Sequence, residues 1–300
     1  MENPTEQVLY EISEELIRQA LATQWMMPDI LRVSEVKKTT VGRMVFRVET
    51  SEKSHTLKIY APSRKKEIVE KDINLLRFLE CSGFPACTLR DAANGQGYGT
   101  INGSYAYVYD WIEGKNPEPT VETFEKLGYM TGRLHTVSEP YSRTSDFMPA
   151  NEIQALLEKA RKNGIDQKYI DLLSSIRDFS HLPQGLIHTD IGPHNSLERP
   201  NGELVIIDWE DAGLGPMIID IGWELEQCLS NECVFDTEKA KAFLRGYQVH
   251  RMLTAGERSY ACDAALFFAF LYWVDEQKDM GTKRIDWLAN NRKEFEGIFE

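Results

Sequence analysis

The chain lacks the features that would place it in several large classes of protein. No apolar run approaches the ~20 residues needed to cross a bilayer, and the first ten residues carry no Lys or Arg. Neither a membrane span nor a secretory leader is expected, and a cytoplasmic location follows. The five cysteines, Cys81, Cys87, Cys228, Cys233 and Cys262, are odd in number and contain no Cys-x-x-Cys pair. They read as reduced thiols, without a disulfide framework or a zinc site. No Gly-x4-Gly-Lys-Ser/Thr stretch occurs, which removes the P-loop nucleotide-binding proteins. Positive charge is scarce: 34 Lys and Arg stand against 47 Asp and Glu, net −13, the opposite of the basic face that nucleic-acid binding requires.

Three hundred residues, 42% of them hydrophobic, exceed the usual single-core size and predict two lobes with a cleft. The boundary is expected near residue 112, giving units 1–112 and 113–300. Residues 1–112 hold 14 Lys and Arg against 15 Asp and Glu, net −1, and residues 113–300 hold 20 against 32, net −12. A field of that sign over the second unit favours a cationic small molecule.

The first unit reads as β-rich. A helix is expected from Glu6 to Leu21, with Val8, Ile12, Leu16 and Ala20 on one face. Runs at Ile30–Val36, Met44–Glu49 and His55–Tyr60, separated by short polar turns, predict an antiparallel meander, and Ser104–Trp111 a further strand. Gly95-x-Gly97-x-Gly99 opens a short hairpin at Asn102-Gly103 and no helix follows, so it lacks the strand-to-helix context of a dinucleotide fingerprint. After the third strand, Ser63 is a candidate N-cap for a helix whose apolar stripe runs Ile68, Leu75, Leu76, Leu79. Asp72 falls in that stripe, and a buried carboxylate needs a partner. Lys58 is the nearest sensible one, with Glu67 and Glu70 as competitors for it. From Val121 the pattern turns helical, Phe124, Leu127, Gly128, Met130, Thr131, Leu134 and His135 tracing one face.

The most informative stretch is Leu186–Trp209. Asn201-Gly202 favours a two-residue hairpin turn, which sets a register where residue numbers sum to 403 and places Asn195 opposite Asp208, with Cβ atoms roughly 4.5–5.5 Å apart. An amide oxygen and a carboxylate so placed suit one hard cation that keeps room for phosphates. Asp190, at the start of a loop held by Gly192 and Pro193, hangs over the same point as the candidate acceptor of a hydroxyl proton.

His-x-Asp followed by four residues and Asn, then Ile-Asp-Trp, resembles the catalytic and metal motifs of the aminoglycoside phosphotransferase and choline kinase-like family, relatives of protein kinases. The likeness continues through Gly215-Pro216 and Asp220-Ile221-Gly222. It departs at Thr189, where the family usually has Gly. The resemblance implies an α+β, two-lobed protein-kinase-like fold with a small β-rich N-lobe and a larger, mostly helical C-lobe. It implies ATP and Mg2+ as cofactors, Asp190 as the catalytic base, Asn195 and Asp208 on the metal, Lys58 on the phosphates bridged to Asp72, and the Asp110 carbonyl and Ile112 amide on the adenine edge beyond Tyr109. Lys115-Asn116-Pro117 reads as the hinge. The loop Lys38–Arg43 has a single glycine, Gly42, fewer than a protein-kinase phosphate loop. His188 is expected to brace the catalytic loop, Asp220 to tie it down, and His135 to be a core histidine.

Only eleven residues separate Asp208 from Asp220 and no Ala-Pro-Glu follows, so the peptide-docking segment of protein kinases is missing. A small acceptor is expected, of aminoglycoside, choline, ethanolamine or homoserine type. Two clusters could receive an ammonium group, Trp223-Glu224-x-Glu226 and Trp273-x-Asp275-Glu276, aromatic faces beside carboxylates, with Trp223, Glu224, Trp273 and Asp275 as the candidate residues. A nucleotide-binding pseudokinase is the competing class. The retention of Lys58, Asp190, Asn195 and Asp208 together argues against it.

Overall fold

A computed structural model describes residues 12–39, 43–138, 147–276 and 279–300. The chain divides into two compact units, Met1–Gly114 and Lys115–Glu300.

The first unit runs α1 (Glu14–Gln24), β1 (Ile30–Lys38), β2 (Met44–Thr50), β3 (Ser54–Ile59), α2 (Lys66–Cys81), β4 (Leu89–Arg90), β5 (Gly99–Ile101) and β6 (Ser104–Asp110). Its strands form one antiparallel sheet in the order β1-β2-β3-β6-β4, with β5 on β6. Helix α1 starts at Glu14 because the Ser13 hydroxyl accepts from Leu16 N–H at 3.3 Å. The expected beginning, residues 6–11, lies outside the described residues, as does Gly42. The buried face is Ile17, Ala20 and Leu21, and Leu16 is exposed. A line of residues four apart drifts about 40° per step around a helix of 3.6 residues per turn, whereas the i, i+3, i+4 set stays on one side.

Leu57 and Ile59 of β3 join the core with Ile17, Leu21, Trp25, Val48 and Val108. The opposite face of β3 carries Thr56 and Lys58, with Tyr107 across from Lys58. At Asn102-Gly103 both residues have positive φ, 49° and 80°, and Ile101 pairs Ser104, the two-residue turn that this dipeptide favours.

The second unit contains α3 (Val121–Val137), α4 (Pro149–Lys162), α5 (Gln167–Ser174), β7 (Gln184–Ile187), β8 (Ser196–Glu198), β9 (Leu204–Ile206), β10 (Gly213–Pro216), α6 (Ile218–Gln227), α7 (Thr237–Gln248), α8 (Ala255–Glu276), α9 (Asp279–Asn290) and α10 (Arg292–Glu296). The expected apolar face of α3 is buried throughout, from Phe124 to His135. It packs on α7 with backbones nearly in contact. A Cβ on Gly128 would overlap the Phe243 carbonyl, one on Gly246 the Glu125 carbonyl, and one on Gly132 would come within 2.5 Å of the Tyr247 carbonyl oxygen. Two short antiparallel pairs, β7 with β10 and β8 with β9, carry the loops of the site, and α6 begins directly after β10.

Because Phe243 offers backbone and not a flexible side chain to the intruding methyl, Gly128→Ala is expected to cost at least ~2 kcal/mol of stability. Calorimetric melting of the variant beside the wild type checks this. An unchanged Tm would show that α3 and α7 are not in close backbone contact.

Candidate active site

Strand β7 delivers His188, and the chain then turns through Thr189 with φ +70°. That conformation is costly for a β-branched residue and persists only where the surroundings over-determine it. Here they do. Asp220, wholly buried in the first turn of α6, accepts from His188 N–H at 3.0 Å with one oxygen and from Thr189 N–H at 2.8 Å with the other. The Thr189 hydroxyl donates to the Asp211 carbonyl at 3.4 Å. The His188 ring completes the brace: its Nδ1 accepts from Asp190 N–H at 3.3 Å and its Nε2 meets the Ile207 carbonyl at 3.0 Å. Burial holds the His188 pKa below the usual value, against the opposing pull of Asp220, the Ile207 carbonyl, Asp190 and Asp208. A neutral ring with its proton on Nε2 satisfies both bonds.

Asp190 is thereby aimed out of the loop, its side chain 35% exposed. One oxygen lies 3.1 Å from His194 Nε2 and the other accepts from Asn195 Nδ2 at 2.7 Å. Asn195 sits at the end of a short 3-10 turn, Pro193–Asn195, which Asn116 clamps from outside: its amide nitrogen reaches the carbonyls of Pro193, His194 and Ser196 at 3.2, 3.1 and 2.9 Å. Asn116, read from sequence only as part of a hinge, holds the catalytic loop.

The hairpin register differs from the expected one. Ser196 pairs Ile206, Leu197 pairs Val205 and Glu198 pairs Leu204, a sum of 402. The loop has three residues, Pro200 to Gly202, closed by Arg199 N–H to the Glu203 carbonyl at 2.9 Å, and only Gly202 has positive φ. Pro200 is the reason. Its fixed φ suits the second position of a type I turn, which continues into a left-handed glycine, and the same Asn-Gly dipeptide without a preceding proline makes the tighter turn at Asn102-Gly103. Asn195 consequently faces Ile207, whose N–H donates to the Asn195 carbonyl at 2.9 Å, and not Asp208. Asp208, two residues past the end of β9, is a left-handed residue (φ 66°, ψ 57°) that redirects the chain there, and its charge acts on the His188 ring.

Behind Asp220 runs a buried polar chain that the sequence reading did not find. His135 Nε2 lies 3.2 Å from Asp220 and its Nδ1 2.9 Å from the Tyr247 hydroxyl. Arg251 donates to that hydroxyl at 2.9 Å and pairs with buried Glu257 at 2.8 Å. Spacing offers no signal for it, since the links join residues up to 112 apart.

In the first unit, Lys58 and Asp72 are both buried, and Asp72 accepts from Arg64 at 2.9 Å. Ser63 does not cap α2. Pro62 and Ser63 occupy a turn closed by Arg64 N–H to the Ala61 carbonyl at 2.9 Å, and the helix starts at Lys66. Its buried side is Val69, Asp72, Ile73, Leu75, Leu76 and Leu79, with Ile68 exposed. Glu67 is exposed, and Glu70 holds Lys66 at 3.1 Å and the Tyr98 hydroxyl at 2.9 Å. Asp110 ends β6 opposite His55 and pairs with Lys53 at 2.7 Å, and Ile112 is buried just beyond.

Of the four expected acceptor residues, two line a cavity of about 290 Å³ in the second unit and two do not. Trp223 and Trp273 form walls with Phe268, Tyr272, Glu226 and Arg284. Trp223 Nε1 donates to the Ile191 carbonyl at 2.6 Å, so this wall is tied to the residue after Asp190. Glu224 points elsewhere. It is fully buried, with neither carboxylate oxygen partnered among the described residues, and burial, with Asp220 and Asp190 nearby, raises its pKa well above the usual value. Asp275 is exposed and bound to Lys159 at 2.6 Å. On α6, residues 223 and 226 share a face while 224 lies about 100° around. The acid that meets the cavity is therefore Glu226.

Two outcomes follow from this geometry. Thr189→Gly is expected to raise stability by about 1 kcal/mol, as relief of left-handed strain exceeds the entropy of glycine, and a lowered Tm would show the threonine unstrained. Glu224 keeps its proton in the fold while the unfolded chain loses it above about pH 4.5, so stability falls as pH rises through that point. Glu224→Gln should match the wild type near pH 5 and gain over it towards pH 8, by up to ~1.4 kcal/mol per pH unit. Parallel melting curves across that range check it, and a pH-independent difference would mean the carboxyl is ionised in the fold.

Residues 35–259 match the phosphotransferase enzyme family. A homoserine kinase of Caulobacter sp. (strain K31) is 25% identical over 249 residues, covering 79% of this chain and 78% of its own. Among solved structures, an aminoglycoside phosphotransferase of Alicyclobacillus acidocaldarius superposes with TM-score 0.63 at 18% identity, over 90% of this chain and 93% of the other. A choline kinase of Streptococcus pneumoniae gives TM-score 0.61 at 18% identity, over 94% and 99%. These neighbours share the protein-kinase-like α+β fold expected from the motifs, and with three quarters of its length in the match the chain belongs to the phosphotransferase enzyme family.

Proposed function

We propose that this small-molecule phosphotransferase moves the γ-phosphate of ATP to a hydroxyl of a small, amino-bearing acceptor. The observation that carries the reading is Asp190, half-exposed, fixed through its main chain by His188 and through its carboxylate by Asn195 and His194, beside a cavity sized for a small ligand. In the transfer, the acceptor oxygen bonds to the γ-phosphorus, the bond from phosphorus to the bridging oxygen breaks, and ADP leaves with that electron pair. Asp190 takes the hydroxyl proton. Such chemistry asks the protein mainly for positioning and charge neutralisation.

Magnesium fits the residues present. Asn195 and Asp208 offer hard oxygen donors at the loop's end, and no cluster of three or more His, Cys, Asp or Glu among the described residues competes for a metal. Asn195 and Asp208 would hold the ion, which would neutralise charge on the phosphates. Lys58, with Asp72 as its proposed partner on α2, is proposed to hold phosphate oxygens. The backbone of Asp110 and Ile112 is proposed to receive the adenine. Arg64 holds Asp72 at 2.9 Å.

Asp190→Asn is expected to lower kcat by roughly 10²- to 10⁴-fold with nucleotide affinity nearly unchanged, and Asp208→Ala to weaken nucleotide binding only when magnesium is present. Coupled turnover assays and nucleotide titrations with and without magnesium separate the two effects. Near-wild-type turnover in the first variant would remove Asp190 from the role of base. Magnesium-independent loss in the second would remove Asp208 from the metal.

A further inference from the structure

Two ionic side chains line the cavity, and they are bound to each other: Glu226 Oε1 and Arg284 Nη1 lie 2.6 Å apart, with side chains 5% and 16% exposed. The rest of the wall is aromatic, apolar or amide, from Trp223, Gln227, Phe268, Ala269, Tyr272, Trp273, Met280 and Gly281. We propose that this cavity receives the α-ammonium and α-carboxylate of a hydroxy-α-amino acid, Glu226 taking the first and Arg284 the second. The inference rests on the phosphotransferase reading above and names the acceptor class for the same site.

The argument is one of charge balance in a buried place. An acceptor that is only a cation would bind Glu226 at the expense of Arg284, leaving a guanidinium without its counter-charge, and a stranded buried charge is costly. A zwitterion inserted into the pair gives each side chain a new opposite charge and leaves none unmatched. Arg284 is anchored for this purpose. It donates to the Glu226 carbonyl at 3.3 Å and the Leu229 carbonyl at 2.8 Å, at the end of α6. With the bond to the Glu226 carboxylate these are three of the bonds that five N–H groups offer, so the guanidinium stays in place with donors to spare for a carboxylate. Glu226 gains little from its partner alone: burial raises its pKa, and Arg284 and Gln227 only oppose that rise. A second cation beside it would be welcome.

The cavity also communicates with the base. Trp223, packed on Tyr272 at 5.4 Å between ring centroids, carries the hydrogen bond to Ile191. An acceptor with its charged end on Glu226 and Arg284 therefore has the wall of the catalytic loop beside its side-chain end. The net −12 of residues 113–300 suggested a plain cation, and the lining residues of this cavity argue otherwise because their own charges cancel.

The test compares phosphorylation of L-homoserine, L-serine and L-threonine with that of 3-aminopropan-1-ol, ethanolamine and choline by the purified full chain, together with calorimetric binding of L-homoserine and 3-aminopropan-1-ol. The expected result is at least one amino acid accepted with kcat/KM roughly 100-fold above its decarboxylated counterpart. Glu226→Gln should raise the amino acid KM about 10-fold or more and leave the KM for ATP alone. Arg284→Lys, which keeps the charge near the α6 carbonyls where removal could unfold the helix end, should lose preference for the amino acid over the amino alcohol. Equal or better use of an amino alcohol, choline or an aminoglycoside overturns the zwitterion and leaves the kinase standing. Absence of ATP binding and turnover instead defeats the phosphotransferase reading, and the calorimetric comparison then decides the cavity by itself: tighter binding of L-homoserine than of 3-aminopropan-1-ol upholds it, and the reverse overturns it.

Discussion

The site depends on one interaction, the carboxylate of Asp220 accepting the backbone N–H groups of His188 and Thr189. Both groups belong to a turn that a threonine would not adopt unaided, and both would otherwise be donors without partners in a buried place. Charge-assisted hydrogen bonds to backbone are among the stronger polar interactions in a fold, so the left-handed turn is held where local preference opposes it. The direction of Asp190 follows from that turn, and the spacing of Asn195 follows from Asp190. Asp220 is in turn held by His135, Tyr247, Arg251 and Glu257. The close approach of α3 and α7 at Gly128, Gly132 and Gly246 brings the first two of these groups within hydrogen-bonding distance. Packing of two helices and aim of a carboxylate are thus one problem.

Helix α6 divides its acidic residues by function through rotation alone. Asp220 ties the loop, Glu224 is buried beside Gly192 and carries a raised pKa, and Glu226 meets Arg284 at the cavity. Three carboxylates within seven residues have three environments because successive helical positions turn about 100°. The environment, and not the residue type, sets what each can do.

The family membership bounds the reaction class and leaves the acceptor open. Relatives and structural neighbours carry names as different as homoserine kinase, choline kinase and aminoglycoside phosphotransferase, and the solved ones share one fold. Under the proposed reading, discrimination falls to the cavity wall, where Trp223, Tyr272, Glu226 and Arg284 present aromatic surface and a matched ion pair. Such pairs serve specificity more than affinity, since a ligand with one charge too few leaves a buried group unmatched.

Much of this protein was legible along the chain. Strand alternation, the Asn102-Gly103 turn, the apolar face of α3 and the spacing from His188 to Asp208 are local, because strand period, turn chemistry and helix period act within a few residues. The roles of His188 and Asp220 as braces could be read from a motif that carries its own geometry, whereas His135 was legible only as a core histidine. What failed did so where a neighbour overruled a local preference. Pro200 displaced the hairpin register by one, so that Asn195 faces Ile207 and not Asp208, Ser63 was taken by a turn so that Lys65 precedes α2, and Arg64 came to Asp72. Glu224 and Asp275 were named for the cavity that Glu226 and Arg284 line. The sequence by itself determined the fold class, the family and the loop that bears Asp190, since short-range rules and one specific motif suffice for those. Only the tertiary structure decided which carboxylate on α6 faces the cavity and which cation meets it from α9, because helix rotation and the meeting of residues 58 positions apart are set by packing across the whole core.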